Sequence, residues 1–147
     1  MDSDGIALWE AKRKQHRERR HWRYEQCMAA LGARGIAQGG AAIEQIYDTG
    51  TEYNGSLILH WREFFNDFWR RELRSVPAQE AEGARQEIES IIDDEEKLID
   101  EEIREVLRKK GVNFDDANHA PGRSRLRMSC EVLKKRCLTE IETLKRQ

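Results

Sequence analysis

The sequence predicts an all-α fold, an elongated helical bundle of four to five helices with a long antiparallel helical hairpin. Three features predict it. Charged residues make up 37% of the 147 positions and hydrophobic ones 38%, against about 25% and about 45–50% in an ordinary globular domain; such a chain suits long helices with one buried stripe and wide solvated faces. Only two prolines occur, and helix-favouring Ala, Glu, Leu, Arg and Lys dominate. Apolar residues recur at three- and four-residue intervals over long windows, and no segment alternates with period two. The length matches one ordinary domain, so residues 1–147 are expected to form a single helical domain.

The first helix is expected over about 5–31, with Ser3 or Asp4 as its cap. At about 100° per residue, Ile6, Trp9, Tyr24, Cys27, Met28 and Leu31 gather on one side. Midway, that side is occupied instead by Arg13, His16 and Arg20. The helix therefore has apolar ends and a cationic waist, "KRKQHRERRH", with nothing aliphatic to bury. Lys, Arg, Glu and Gln are good helix formers, but neighbouring like charges such as Arg13, Arg17 and Arg20 repel. The waist is expected to stay outside the apolar interior and to meet opposite charge. "GARGIAQGG" ends the helix, because four glycines in nine residues disfavour its continuation.

A short helix is expected over about 41–49, then a connection, "DTGTEYNG", in which Gly50, Asn54 and Gly55 supply turn chemistry. Ser56 can cap an aromatic helix over about 56–75, where Leu57, Ile58, Trp61, Phe64, Phe65, Phe68 and Trp69 share one arc. Pro77 ends that helix and opens the next. The long acidic helix, about 78–110, carries Ile88, Ile91, Ile92, Leu98, Ile99, Ile103, Val106 and Leu107 as its stripe. Arg108, Lys109 and Lys110 lie at its negative end, and Gly111 stops it. "GVNFDDANHAPG" reads as a loop. Ser124 reads as the cap of a last helix, about 124–146, which buries Leu126, Cys130, Leu133, Cys137, Ile141 and Leu144. Folded back as a hairpin, this helix brings Arg125, Lys134, Lys135 and Arg136 towards the acidic block.

The net charge of −2 conceals segregation. Residues 12–23 hold seven Lys/Arg and one Glu, residues 80–105 twelve Asp/Glu and three Lys/Arg, and residues 123–147 eight Lys/Arg and three Glu. Such blocks pair internally, pair between chains, or face outside partners. Cys27, Cys130 and Cys137 form no disulfide framework: seven residues of helix separate the last two by about 10.5 Å, too far to bridge. Free thiols, and an N-terminus without the basic-then-apolar order of a signal peptide, lead to the expectation of a cytoplasmic protein.

No catalytic or cofactor motif is present, and a non-enzymatic role is expected. "GARGIAQGG" matches neither phosphate-binding fingerprint and follows a helix. His60 and Glu63 sit one turn apart, but zinc and iron sites need three or four converging ligands, so no metal and no cofactor is expected. Glu95 and Glu102 fall inside the apolar arc of the acidic helix, and Glu72 interrupts the aromatic stripe. These are buried-acid candidates that require cationic partners from another helix or a second subunit.

The expected function is that of a helical adaptor or regulatory protein, binding a protein partner or another copy of itself through charged helix faces. Arg13, Lys14, Arg17, Arg19, Arg20, Trp22 and Arg23 are the expected partner-binding residues. The basic segment could instead lie along the chain's own acidic helix. A further alternative is nucleic-acid binding, with the basic-aromatic segment 12–24 and the basic cluster 123–127 tracking phosphates. The twelve acids of the long helix, and the lack of a helix-turn-helix or zinc finger, count against that alternative.

Overall fold

A computed structural model of the chain describes residues 3–35, 40–72, 78–112 and 116–144, with side chains over 7–35, 42–63, 78–112 and 119–143. It contains four α-helices: α1 (Ser3–Ala33), α2 (Gly40–Glu72), α3 (Ala78–Lys109) and α4 (Asp116–Leu144). Among the described residues there is no strand.

Cross-helix contacts set the directions. Arg13 meets Glu95, Arg20 meets Glu102 and Glu25 meets Lys110, so α1 and α3 run parallel. Tyr47 lies beside His119, Asn54 beside Cys130 and Arg62 beside Glu140, so α2 and α4 run parallel. His16 packs on His60 and Lys134 pairs with Asp93, which makes α2 antiparallel to α1 and α4 antiparallel to α3. The bundle is therefore up-down-up-down. Helices α2 and α3 share the middle, α1 and α4 flank them, and among the described residues the backbones of α1 and α4 do not come close.

Two expected boundaries are corrected. The separate helices at about 41–49 and 56–75 form one helix, α2, running through the expected turn at 50–55. Packing overrides local preference there. A Cβ on Gly50 would come within 2.7 Å of Ile99 Cγ2 and 2.9 Å of the Tyr24 hydroxyl, so the glycine lets α1 and α3 close onto α2. Asn54 is buried and donates to Cys130 Sγ at 3.2 Å, while the Thr51 hydroxyl donates to the Tyr47 carbonyl one turn back. Leu57, Ile58 and Trp61 are buried as the periodicity predicts. The side chains of Phe64, Phe65, Phe68, Trp69 and Glu72, and residues 73–75, lie outside those described.

The second correction concerns α4, which starts at Asp116 rather than at Ser124 and carries Pro121 inside it. Pro121 lies in the second turn, where its missing N–H removes one early rung of the ladder. Tertiary contacts hold this segment helical. His119 is fully buried beside Tyr47, and a Cβ on Gly122 would stand 2.5 Å from the Tyr47 ring. The hairpin of α3 and α4 is thus present with a longer second arm.

Helix ends follow the sequence closely elsewhere. Gly35 adopts φ 72° after α1, and Gly111 adopts φ 69° after α3. At the end of α3, Val112 N–H donates to the Leu107 carbonyl at 3.0 Å and Gly111 N–H to Arg108 at 3.1 Å. That is a Schellman cap, with the apolar residues on either side of it, Leu107 and Val112, both buried. The three cysteines are free thiols. Among the described residues no helix is long and apolar enough to cross a membrane.

Candidate functional site: a buried ion-pair network and a basic-aromatic helix face

The cationic waist of α1 packs against α3, because Glu95 and Glu102 occupy the stripe that α3 turns towards it. Arg20 is fully buried, and its guanidinium is divided between both acids. Nε and Nη2 donate to Glu102 at 2.8 Å each, and Nη1 donates to Glu95 at 2.9 Å. The other oxygen of Glu95 accepts from Arg13 Nε at 2.8 Å and from Arg17 Nη2 at 3.0 Å. The Glu95 side chain is 0% exposed and that of Glu102 15%. Three guanidinium groups therefore satisfy two carboxylates by charge-assisted hydrogen bonds, which makes burial of those charges tolerable.

The waist does not stay outside the interior, as the sequence led us to expect. Arg20 and His16 are both buried. The expected opposite charge is what allows this for Arg20. Burial alone would raise the Glu95 carboxyl, but Arg20 and Arg13 hold it below the ordinary carboxylate range. Burial would likewise lower Arg20, yet the hydrogen bonds and charge of Glu102 raise it above its ordinary value. Tyr24 sits against the same pair, and its hydroxyl is pushed up, first by burial. His16 stacks edge-on to His60 with centroids 4.9 Å apart. Burial, then His60, Arg19, Arg20 and Lys12, lower its pKa from 6.5 to about 4, so it is neutral at pH 7.

The expected partner-binding residues divide by direction. Arg13, Arg17 and Arg20 turn inward to Glu95 and Glu102. Lys14, Arg19, Trp22 and Arg23 lie on the exposed side of α1 with Lys12, and the Trp22 ring is 60% exposed. Among the described residues, Lys12, Lys14, Arg19 and Arg23 make no ion pair; Arg23 reaches only Gln26, at 3.4 Å. Of the buried-acid candidates, Glu95 is enclosed, Glu102 is mostly covered, and the Glu72 side chain lies outside the described residues.

The basic cluster at 123–127 lies on α4. Arg125 bonds Asp48 and the Glu44 carbonyl, and Arg123 approaches Asp100 at 3.6 Å. Lys134 reaches the acidic block through Asp93 at 2.5 Å, whereas Lys135 and Arg136 are exposed. The two basic clusters thus lie on different helices, α1 and α4, whose described backbones do not approach each other closely.

One constellation escaped sequence reasoning. Tyr47 donates a short hydrogen bond to Asp100, and its oxygen lies 2.9 Å from His119 Nδ1, with both rings buried. Burial and the Asp100 carboxylate raise the phenol above its ordinary pKa, so it stays a donor. No sequence signal marks this trio, because its members come from three helices. Among the described residues there is no group of three or more His, Cys, Asp or Glu placed to hold a metal ion. His60 approaches Glu63 at 3.8 Å and packs on His16. Comparison with known proteins finds no matching family, no matching curated protein and no matching solved structure.

Proposed function

We propose that this chain is a non-enzymatic helical adaptor or regulatory protein that docks an acidic protein partner through the outer face of α1. The observation that carries the reading is the division of labour among the cations of that helix. Three arginines are consumed internally and fix the rotation of α1. Among the described residues, Lys12, Lys14, Arg19 and Arg23 make no ion pair and lie around Trp22, a large side chain left 60% exposed. Tryptophan and arginine are the residues on which binding energy at protein interfaces concentrates, and a cationic rim steers an acidic partner towards them. The nucleic-acid reading draws on the same cations and ring, but its two basic clusters lie on α1 and α4, two helices whose described backbones do not approach each other closely, and the acids of α3 count against it.

Affinity capture with the full chain, in parallel with Trp22→Ala and Arg19→Glu/Arg23→Glu chains, tests the reading. The expected result is a protein partner retained after nuclease treatment and lost with both variants. Capture abolished by nuclease would establish the nucleic-acid alternative. A partner retained equally by all three chains would remove α1 from the interface.

A further inference from the structure

We propose that the cleft between α3 and α4 binds a small soluble phosphate monoester as its dianion. The cleft encloses about 550 Å³ and is lined by Glu96, Lys97, Asp100, Arg123, Ser124 and Arg127. That volume lies within the range of small-molecule sites, about 300–1,000 Å³.

The charges along its walls do not cancel. Asp100 is already engaged by the Tyr47 hydroxyl and by Arg104 Nε at 3.1 Å. Arg123 stands 3.6 Å from Asp100, beyond hydrogen-bond distance, and is half exposed. Lys97 and Arg127 make no ion pair among the described residues, and neither does Glu96. The lining thus carries three cations and two carboxylates, and one of those carboxylates, Asp100, is also held by Arg104 from outside the lining, so positive charge is in excess.

A monoester dianion supplies two negative charges and three acceptor oxygens. Arg123 and Arg127 are one turn apart on α4, Ser124 lines the cleft beside them, and Lys97 lines it from α3. Guanidinium forks match phosphate oxygens in pairs, and a lysine adds a point charge. Asp100, which lines the cleft, is held in place by the Tyr47 hydroxyl, which in turn lies beside buried His119. This site shares no residue with the α1 face, and its failure would leave the docking reading standing.

The test is titration of the full chain with inorganic phosphate and with O-phosphoserine at constant ionic strength, followed by proton–nitrogen NMR. The expected result is saturable shifts confined to residues 96–100 and 120–127, with acetate binding more weakly. Arg123→Gln and Arg127→Gln should each weaken binding by about tenfold or more, the cost of losing a charge-assisted contact, while Arg19→Gln changes nothing. Melting curves establish that these exposed substitutions leave the fold intact. Shifts that never saturate, that spread over α1, or that survive Arg127→Gln would overturn the site. A phosphoserine peptide or phosphatidate vesicles binding at least tenfold tighter than O-phosphoserine would overturn its assignment to a small molecule.

Discussion

Arg20 and Glu102 are joined by two parallel hydrogen bonds of 2.8 Å, and the remaining terminal nitrogen of the same guanidinium reaches Glu95 at 2.9 Å. Every donor-bearing nitrogen of a fully buried arginine is therefore used. Glu95 is the hub, since it also neutralises Arg13 and Arg17. Glu95→Gln leaves three guanidinium groups facing one carboxylate, and a loss of about 3–5 kcal/mol is expected. Glu102→Gln should cost less, because that side chain is 15% exposed and answers to one arginine. Arg20→Lys keeps the charge but loses the fork, so it too should destabilise. Urea unfolding of the three variants measures the order.

The same interface should give stability two separate pH dependences. His16 titrates near 4 when folded and 6.5 when unfolded, so between those values the unfolded chain binds more protons. Its contribution, at most about 3 kcal/mol, is present above pH 6.5 and is lost as pH falls towards 4. Glu95 has a folded pKa below its ordinary 4.5, so its contribution holds above that value and is lost below it. Unfolding free energy measured from pH 8 to 3 should therefore fall in two stages, and His16→Gln should remove the first alone. A His16→Gln chain with an unchanged profile would refute the assignment.

What could be read from the sequence was whatever one helix declares by itself. The stripe of α3, its Schellman end at Gly111 and the need of Glu95 and Glu102 for cations all follow from periodicity and the cost of burying charge. The continuity of α2 did not follow, because Gly50 and Asn54 have turn preferences that only neighbours overrule: Ile99 and Tyr24 for the first, Cys130 for the second. The early start of α4 was hidden for the same reason, since Pro121 and Gly122 look like breakers until Tyr47 lies over them. The inward turn of Arg20 was half legible. Its position on the apolar side was evident, but full burial required two acids converging from α3.

Glycines of α2 and α3 should separate into opposite classes. Alanine at Gly55 or Gly83 meets nothing within 4 Å and should stabilise the helix by about 0.5–1 kcal/mol. Alanine at Gly50 gains the same helical preference but places its methyl 2.7 Å from Ile99 and 2.9 Å from the Tyr24 hydroxyl, forcing α1 and α3 away from α2. A net loss of about 1–3 kcal/mol is expected, as for other overpacked cores. Thermal melts of the three single variants check the opposite signs.

Thiol reactivity should report which seam of the bundle opens. Burial raises Cys130 to about 12 and Cys137 to about 11, and both lie inside α4 with almost no exposed surface. Cys27 is half-buried beside Thr49 on the α1–α2 seam, where burial raises it as well. Thiolate is the attacking species and needs access, so exposure decides the order. A chromogenic disulfide reagent should modify Cys27 first in the native protein. Cys130 and Cys137 should react only as fast as α4 separates from α2, and all three should react at once in denaturant. Asn54→Ala removes the donor on Cys130 and loosens that seam, so it should accelerate the slow phase without changing the fast one. Equal native rates at all three thiols would mean that α4 is not held against α2 as these contacts require.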